Sequence, residues 1–402
     1  MFAMRIALAA GFAGITLAFR PSPISRISAR GSSQALRPPR ASTLYGTRSD
    51  LRMAAPDVED NEAGGPLSRK SLLESATKTA GVLAAGIFVQ QGFLSGVPYL
   101  ATPDLSGKTA VITGGNTGLG KETAIRLAQL GADVTIACRS PDRASAALED
   151  IRAQAPVAKV TAMPLDLASL DSVGSFAKSF MSSSRPLDIL VNNAGVMAIP
   201  ERQVTKDGFE MQFGINHLGH FRLTNLLMPA LLKSPDARVV SVSSSAHLFA
   251  STVEWDDLNA QGPGAYGPWK AYGLSKLSNI FFVKALQKRV DSKGASITCT
   301  ALHPGACRTE LGRYLFDPSQ PVNPLAYPVL AALTLVTRSP KEGAQTQIAL
   351  AADPALGKGS SAGGLYFTNP KMSEQPSELA RDPEAAEKMW ASSEKMVGKF
   401  SV

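Results

Sequence analysis

The chain has 402 residues, 44% hydrophobic and 18% charged, enough apolar content for a sizeable core and too much for a wholly disordered protein. The formal net charge of +8 is concentrated in residues 1–55, where eight arginines face one acid, Asp50. The remaining 347 residues carry about one net positive charge, which excludes a basic nucleic-acid-binding surface, and no nucleic-acid partner is expected.

The first segment reads as an address. Arg5 precedes a mostly apolar run at 6–19, too short to span a bilayer and of the length of a signal-peptide core. Residues 20–52 are rich in Ser, Pro and Arg and nearly free of acid, the composition of a plastid transit peptide. The junction around Ala18 and Phe19 resembles the cleavage site of bipartite leaders in algae with secondary plastids. Residues 1–55 are therefore expected to be a targeting leader. A second apolar run at 80–99 follows Ser68, Arg69 and Lys70. Gln90, Gln91 and four glycines weaken it as a span, and it is expected to associate with a membrane within a linker at 56–104.

From residue 105 onward, apolar and β-branched runs alternate with helical periodicity. Strands are expected at 109–112, 133–137, 160–163, 187–191, 238–242, 296–301 and 364–367. Helices are expected at 121–130, 142–153, 170–180, 208–232, 271–290 and 341–350. This alternation predicts an α/β fold: a Rossmann-like, doubly wound parallel sheet of about seven strands in a single domain at 105–370. Ligands then bind beyond the carboxyl ends of the strands. Residues 371–402 are expected to form a helical tail capping the domain.

The first strand leads into Thr113 and a turn with Gly114, Asn116, Gly118, Leu119 and Gly120, and then into a helix. Glycine permits close backbone approach, and a helix N-terminus offers unpaired N–H donors, so the stretch suits a pyrophosphate. Its spacing differs from the commonest dinucleotide fingerprint. It resembles the cofactor loop of the short-chain dehydrogenase/reductase family.

That resemblance extends along the chain to about residue 367. Arg139 follows the second strand, where an arginine in place of a carboxylate favours a ribose 2′-phosphate. Asp166 and Leu167 follow the third; the resemblance gives the acid the adenine amino group, and it is also a candidate helix N-cap. Asn193, Ala194 and Gly195, after Asn192, match the family's cofactor floor. Pro304, Gly305 and Thr309 match its nicotinamide carboxamide site. The implied cofactor is NADP(H).

Tyr272 and Lys276 stand four apart on one helical face. A neighbouring cation favours a phenolate, so Lys276 is expected to pull the Tyr272 pKa down from its ordinary value of about 10. Within the resemblance, Tyr272 is the acid/base and Lys276 also binds the nicotinamide ribose. Ser244, the middle of three serines at 243–245, polarises the substrate oxygen, and Asn216 holds a relay water in a helix break. His217 and His220 are spaced as a metal pair, but no acid or cysteine completes a site, so no metal is expected. The three cysteines, Cys138, Cys299 and Cys307, also lack metal spacing and suggest a reduced compartment.

Ser245-Ala246-His247 and Asn216-His217-Leu218-Gly219-His220-Phe221 are similar to the retinol-dehydrogenase-type members and to the chloroplast import-associated member. Residues 165–173 and 185–193 also resemble light-dependent protochlorophyllide reductase, but Ser278 stands where that type carries a cysteine. The expectation is an NADP(H)-dependent oxidoreductase interconverting a carbonyl and an alcohol on a retinoid-, lipid- or pigment-like substrate. The alternatives are protochlorophyllide-type double-bond reduction and an NADPH-sensing interaction protein of the plastid envelope. Substrate contacts are expected from 248–270 and 313–340, with Trp255, Trp269, Tyr314, Leu315 and Phe316. Expected partners are an apolar small molecule, a membrane through 80–99, and a second copy of the chain in a homo-oligomer.

Overall fold

The computed structural model describes residues 98–314 and 337–398. The chain divides into two units, 1–66 and 67–402, and every described residue belongs to the second. The leader, the apolar run up to residue 97, Leu315 and Phe316 lie outside the described residues. No helix among the described residues is long and apolar enough to cross a membrane.

Seven parallel strands form the sheet: β1 Thr109–Thr113, β2 Asp133–Cys138, β3 Val160–Pro164, β4 Ile189–Asn192, β5 Ala237–Val242, β6 Ile297–Leu302 and β7 Tyr366–Asn369. An eighth, β8 Met372–Ser373, pairs antiparallel with β7, giving the order β3-β2-β1-β4-β5-β6-β7-β8. β1, β4, β5 and β6 are buried along their whole length, as strands covered on both faces must be. The order reverses between β1 and β4, so a crevice opens beyond their carboxyl ends. β7 begins two residues later than its apolar run suggests, because Gly364 has φ +75° and cannot continue a strand.

Seven helices of eight residues or more cover the sheet among the described residues: α1 Gly118–Gln129, α2 Pro141–Gln154, α3 Leu170–Met181, α4 Gly219–Leu231, α5 Pro268–Ser292, α6 Gln345–Ala352 and α7 Pro383–Val397. α1, α2 and α6 enclose one core with Ile125, Ile151 and Ile348; α3, α4, α5 and α7 enclose the other with Phe176, Phe221 and Phe281. The helix expected at 208–232 is broken into a short turn, Met211–Phe213, a π turn, Gly214–Leu218, and α4. Asp166 does not cap α3: Ser169 does, accepting from Ser172 N, while the Asp166 carboxylate accepts from Ala168 N. The shorter serine side chain lies at the turn where the helix begins.

The tail is built into the domain. Trp390 of α7 stacks on Phe282 at 6.0 Å and 11°, meets Phe221 edge-on at 4.8 Å, and lies under the Arg289 guanidinium at 4.1 Å. Glu387 pairs with Arg289 at 2.8 Å and Lys288 at 3.1 Å. Truncating a buried aromatic typically costs about 3–5 kcal/mol, more than exposed ion pairs supply, so ring packing carries the docking of α7.

Candidate active site

The cradle after β1 is shaped by backbone. Gly114 and Gly118 have φ of +65° and +53°. A Cβ at Gly120 would stand 2.5 Å from Asn193 Nδ2 and from Gly114 O, so the third residue of α1 must lack a side chain. Thr117, at the α1 N-cap, makes no side-chain cap, and the first turn has no acid; α2 and α3 are capped by Ser140 and Ser169. The N-terminus of α1 thus keeps donors and its positive dipole end for an anion, a fit to a dinucleotide pyrophosphate.

Other expected cofactor residues line the same ridge. Asn116 and Leu119 are half-buried, and Leu119 O accepts from Thr123 Oγ1 at 2.8 Å and Gln347 Nε2 at 3.1 Å. Arg139 is exposed immediately after β2. Asp166 is half-buried, with Lys206 Nζ 3.6 Å from its carboxylate, and Leu167 is buried against the start of α4 at Gly219. Asn193 donates from Nδ2 to Thr113 O at 2.8 Å, while the Asn193 and Ala194 N–H groups donate to Thr113 Oγ1 at 2.9 and 3.0 Å. Pro304 O accepts from Arg338 Nη1 at 3.2 Å, below Gly305 at φ +87°. The Thr309 methyl would lie 3.2 Å from a Cβ at Gly118, so the loops after β1 and β6 face each other.

The catalytic candidates converge beside this floor. Tyr272 and Lys276 are 3% and 2% exposed on α5, with Lys276 Nζ 5.6 Å from the phenol ring centroid. The Ser244 hydroxyl is the neighbour that acts on the Tyr272 phenol, drawing its pKa down. Its neighbours face elsewhere: Ser243 Oγ donates to Lys276 O at 2.6 Å, and Ser245 Oγ lies 3.4 Å from His303 Nε2. Ser244 is therefore the serine of the site. Asn216, in the π turn, donates from Nδ2 to Val196 O and Ser275 Oγ and accepts from Val196 N at Oδ1, all at 2.9 Å. A Cβ at Gly195 would come within 3.0 Å of Asn216 Oδ1 and 3.6 Å of Lys276 Nζ, which brings all three into one small space.

The electrostatics correct one expectation. Burial pushes the Tyr272 phenol above its ordinary value, and the neighbouring Ser244 hydroxyl only partly offsets this. Lys276 does not lower it, because burial pushes the ammonium itself down to about 7, with Val242 O accepting from Nζ at 3.0 Å. Near neutral pH the phenol keeps its proton, and the lysine loses its own far more readily than an exposed ammonium would.

The structure separates the remaining candidates. His217 Nε2 lies 2.7 Å from Ser393 Oγ of α7, whereas His220 faces Thr113, so the two histidines do not converge on a metal. Trp255 packs against the core, with Lys388 Nζ 4.6 Å from its ring. Trp269 lies edge-on to Tyr272 at 6.1 Å and to Phe249 at 5.8 Å, forming an aromatic wall. Ser278 is fully buried under α7, bonded to Leu274 O and Met389 Sδ. The side chain of Tyr314 lies outside the described residues.

Sequence reasoning missed the supports. His247 Nδ1 bonds Ser244 O at 2.8 Å, and its Nε2 accepts from Ser377 N at 3.1 Å, linking the serine turn to the tail. Ser275 carries the Asn216 amide. The only hint was that each lies within four residues of a candidate.

Residues 108–255 match the sequence profile of the family described as short chain dehydrogenase. Retinol dehydrogenase 13 from Homo sapiens is 40% identical over 324 residues, 79% of this chain and 93% of the relative. Retinol dehydrogenase 12 from Mus musculus is 40% identical over 310 residues, with coverage of 76% and 91%. Among solved structures, an uncharacterised protein from Mycobacterium paratuberculosis is 33% identical, with a TM-score of 0.59, covering 76% of this chain and all of that one. A short chain dehydrogenase from Escherichia coli CFT073, solved with NADPH, shares the fold at 20% identity and a TM-score of 0.51, covering 68% of this chain and 100% of its own.

The buried lysine sets a pH dependence. Unfolded, it titrates near 10.5; folded, near 7, so between these values the unfolded chain binds the extra proton and stability rises with pH. Unfolding free energy, measured without cofactor at about pH 7.5 and about 9.5, should rise in the unmutated protein relative to Lys276→Met. A pH-independent difference would mean that the ammonium stays charged in the fold.

Proposed function

The chain belongs to the short-chain dehydrogenase/reductase family and is an oxidoreductase, and from that premise we propose that it interconverts a carbonyl and an alcohol on an apolar substrate with NADP(H). The observation that carries the reading is the convergence of Tyr272, the Ser244 hydroxyl that acts on its phenol, Lys276 and Asn216 at the edge of the glycine cradle. The cofactor would rest on the α1 N-terminus and on Asn193, Ala194 and Gly195, and it would supply or accept the hydride. Arg139 supports a 2′-phosphate, since a guanidinium pairs well with a dianionic oxygen cluster.

In the reducing direction, Tyr272 donates its proton to the substrate oxygen, and Ser244 hydrogen-bonds the same oxygen. A phenol held protonated by burial is in the form this step needs. Lys276, with a pKa near 7, is suited to resupply the proton near neutral pH. Asn216 holds Val196 and Ser275 in place, and all its side-chain polar atoms are engaged. Phe249 and Trp269 beside Tyr272, with Leu248 48% exposed, support a substrate with a flat or extended apolar body. The retinol dehydrogenases among the relatives act in name on such a molecule, and we extend that class to this chain.

Two substitutions test the reading. Tyr272→Phe removes one hydroxyl and should lower turnover of a lipophilic aldehyde by about 10² to 10⁴ while NADPH affinity barely moves. Normal turnover in that variant would rule out the phenol as acid/base. The unmutated protein should bind NADPH more tightly than NADH, with Arg139→Asp narrowing or reversing the preference; equal affinities before mutation would count against a 2′-phosphate site.

A further inference from the structure

Between the cofactor floor and the π turn lies an imidazole that the chemistry above does not use. His220 is 2% exposed on α4. Its Nε2 is 2.8 Å from Thr113 Oγ1, and its Nδ1 is 3.0 Å from the main-chain carbonyl of Asn216. We propose that His220 is a positioning residue, whose neutral ring with the proton on Nδ1 ties the cofactor floor to the turn that carries Asn216.

Donor counting fixes the direction of each bond. Thr113 Oγ1 already accepts the N–H groups of Asn193 and Ala194, so its lone pairs are occupied and it has one hydrogen to give. Val191 O, at 3.4 Å, is the weaker recipient, and His220 Nε2, at 2.8 Å, takes that hydrogen. Nε2 is thus an acceptor and Nδ1 carries the proton, which it donates to Asn216 O. Burial, with the Lys276 ammonium acting in the same direction, pushes the ring down to about 4 against the opposing pull of the Asn216 bond. A directional chain results: floor N–H groups to the Thr113 hydroxyl, hydroxyl to imidazole, imidazole to the π-turn carbonyl.

The backbone explains why a side chain is needed there. In the π turn, Gly219 N reaches five residues back to Gly214 O, widening the helix where Asn216 enters the site. Helical side chains lean toward the N-terminus, so a residue four places after Asn216 is placed to fold back on that carbonyl. Because Thr113 ends β1 and Asn193 follows β4, one ring registers two strand ends against the turn that positions Asn216. Without it, the buried Thr113 hydroxyl keeps only the long contact to Val191 O, and the Asn216 carbonyl loses the imidazole donor.

The effect on catalysis rests on the oxidoreductase reading; the state of the ring does not. His220→Phe keeps the ring volume and removes both nitrogens. It should weaken NADPH binding, followed by cofactor fluorescence, about 10-fold and lower kcat at least as much, since a small misplacement of a site is felt at that scale. His220→Gln retains one donor and one acceptor and should recover most of both losses. Thr113→Val combined with His220→Phe should be little worse than the more damaging single change, because both break one chain. Values for folded His220→Phe within about twofold of the unmutated protein, no recovery with Gln, or additive effects would overturn the proposal. Nitrogen NMR of histidine-labelled full chain gives a readout independent of activity and of the folding of the Phe variant. The resonance lost in His220→Gln should report a neutral ring protonated at Nδ1 near pH 7, and an Nε2–H or doubly protonated ring would overturn the proposal. If the unmutated chain fails to bind NADPH or turn over a carbonyl, the oxidoreductase reading falls, and the ring state still decides this one.

Discussion

An amine held out of water constrains the site. Lys276 Nζ is buried within α5, anchored on Val242 O at the end of β5, and no carboxylate among the described residues pairs with it to offset its desolvation. The protein accommodates it by letting the ammonium lose its proton readily. Around that concession the neighbours take their forms: Gly195 has no Cβ because the amine and Asn216 Oδ1 fill the space, Ser243 accepts a position under the Lys276 backbone, and Tyr272 shares the same dry pocket. A buried phenol and a buried amine both favour their neutral forms, so the resting site has little charge and suits an apolar substrate beside an anionic cofactor.

The fold supplies the rigidity that this requires. β1, β4 and β5 are buried on both faces, and their carboxyl ends present Thr113, Asn193 and Ser244 at one edge. Polar groups leaving those ends are tied crosswise: Asn192 to Thr224 and Ser241, Asn279 to Val242 O, His247 between Ser244 O and Ser377 N. Hydrogen-bonded and dry, such networks resist rearrangement more than isolated pairs do. The tail adds to this. Ser393 holds His217 in the π turn, Met389 lies against Ser278 on α5, and Trp390 packs between Phe221 and Phe282. The segment after residue 370 thus braces both helices that bear catalytic candidates.

Much of this was legible in the sequence, for physical reasons. Strands such as 109–113 and 237–242 are runs of β-branched and apolar residues with turns at both ends, and tertiary packing had little to override. The glycine turn announced its own backbone, and the strand-end polar residues fell on one edge because all the long strands are parallel. Boundaries slipped where a local signal was weak. Gly364 looked like the start of a strand although its positive φ forbids one, and Asp166 looked like a cap although Ser169 is the residue at the turn. What could not be read was set by three-dimensional burial. Tyr272 and Lys276 show their four-residue spacing in the sequence, but only the fold reveals that burial pushes the phenol up and the ammonium down. His220 joins Thr113 across 107 positions, and Ser377 meets His247 across 130, separations that no local pattern encodes.

The central claim is hydride transfer between NADP(H) and a carbonyl or alcohol carbon. The most direct measurement supplies NADPH deuterated at nicotinamide C4 on one face, a lipophilic aldehyde and the full chain, and analyses the alcohol by mass spectrometry and NMR. The account predicts one deuterium on the carbinol carbon from one of the two labelled faces and none from the other. Alcohol formed without deuterium from either face, or NADPH bound with no aldehyde or ketone in a lipophilic panel reduced, would contradict it.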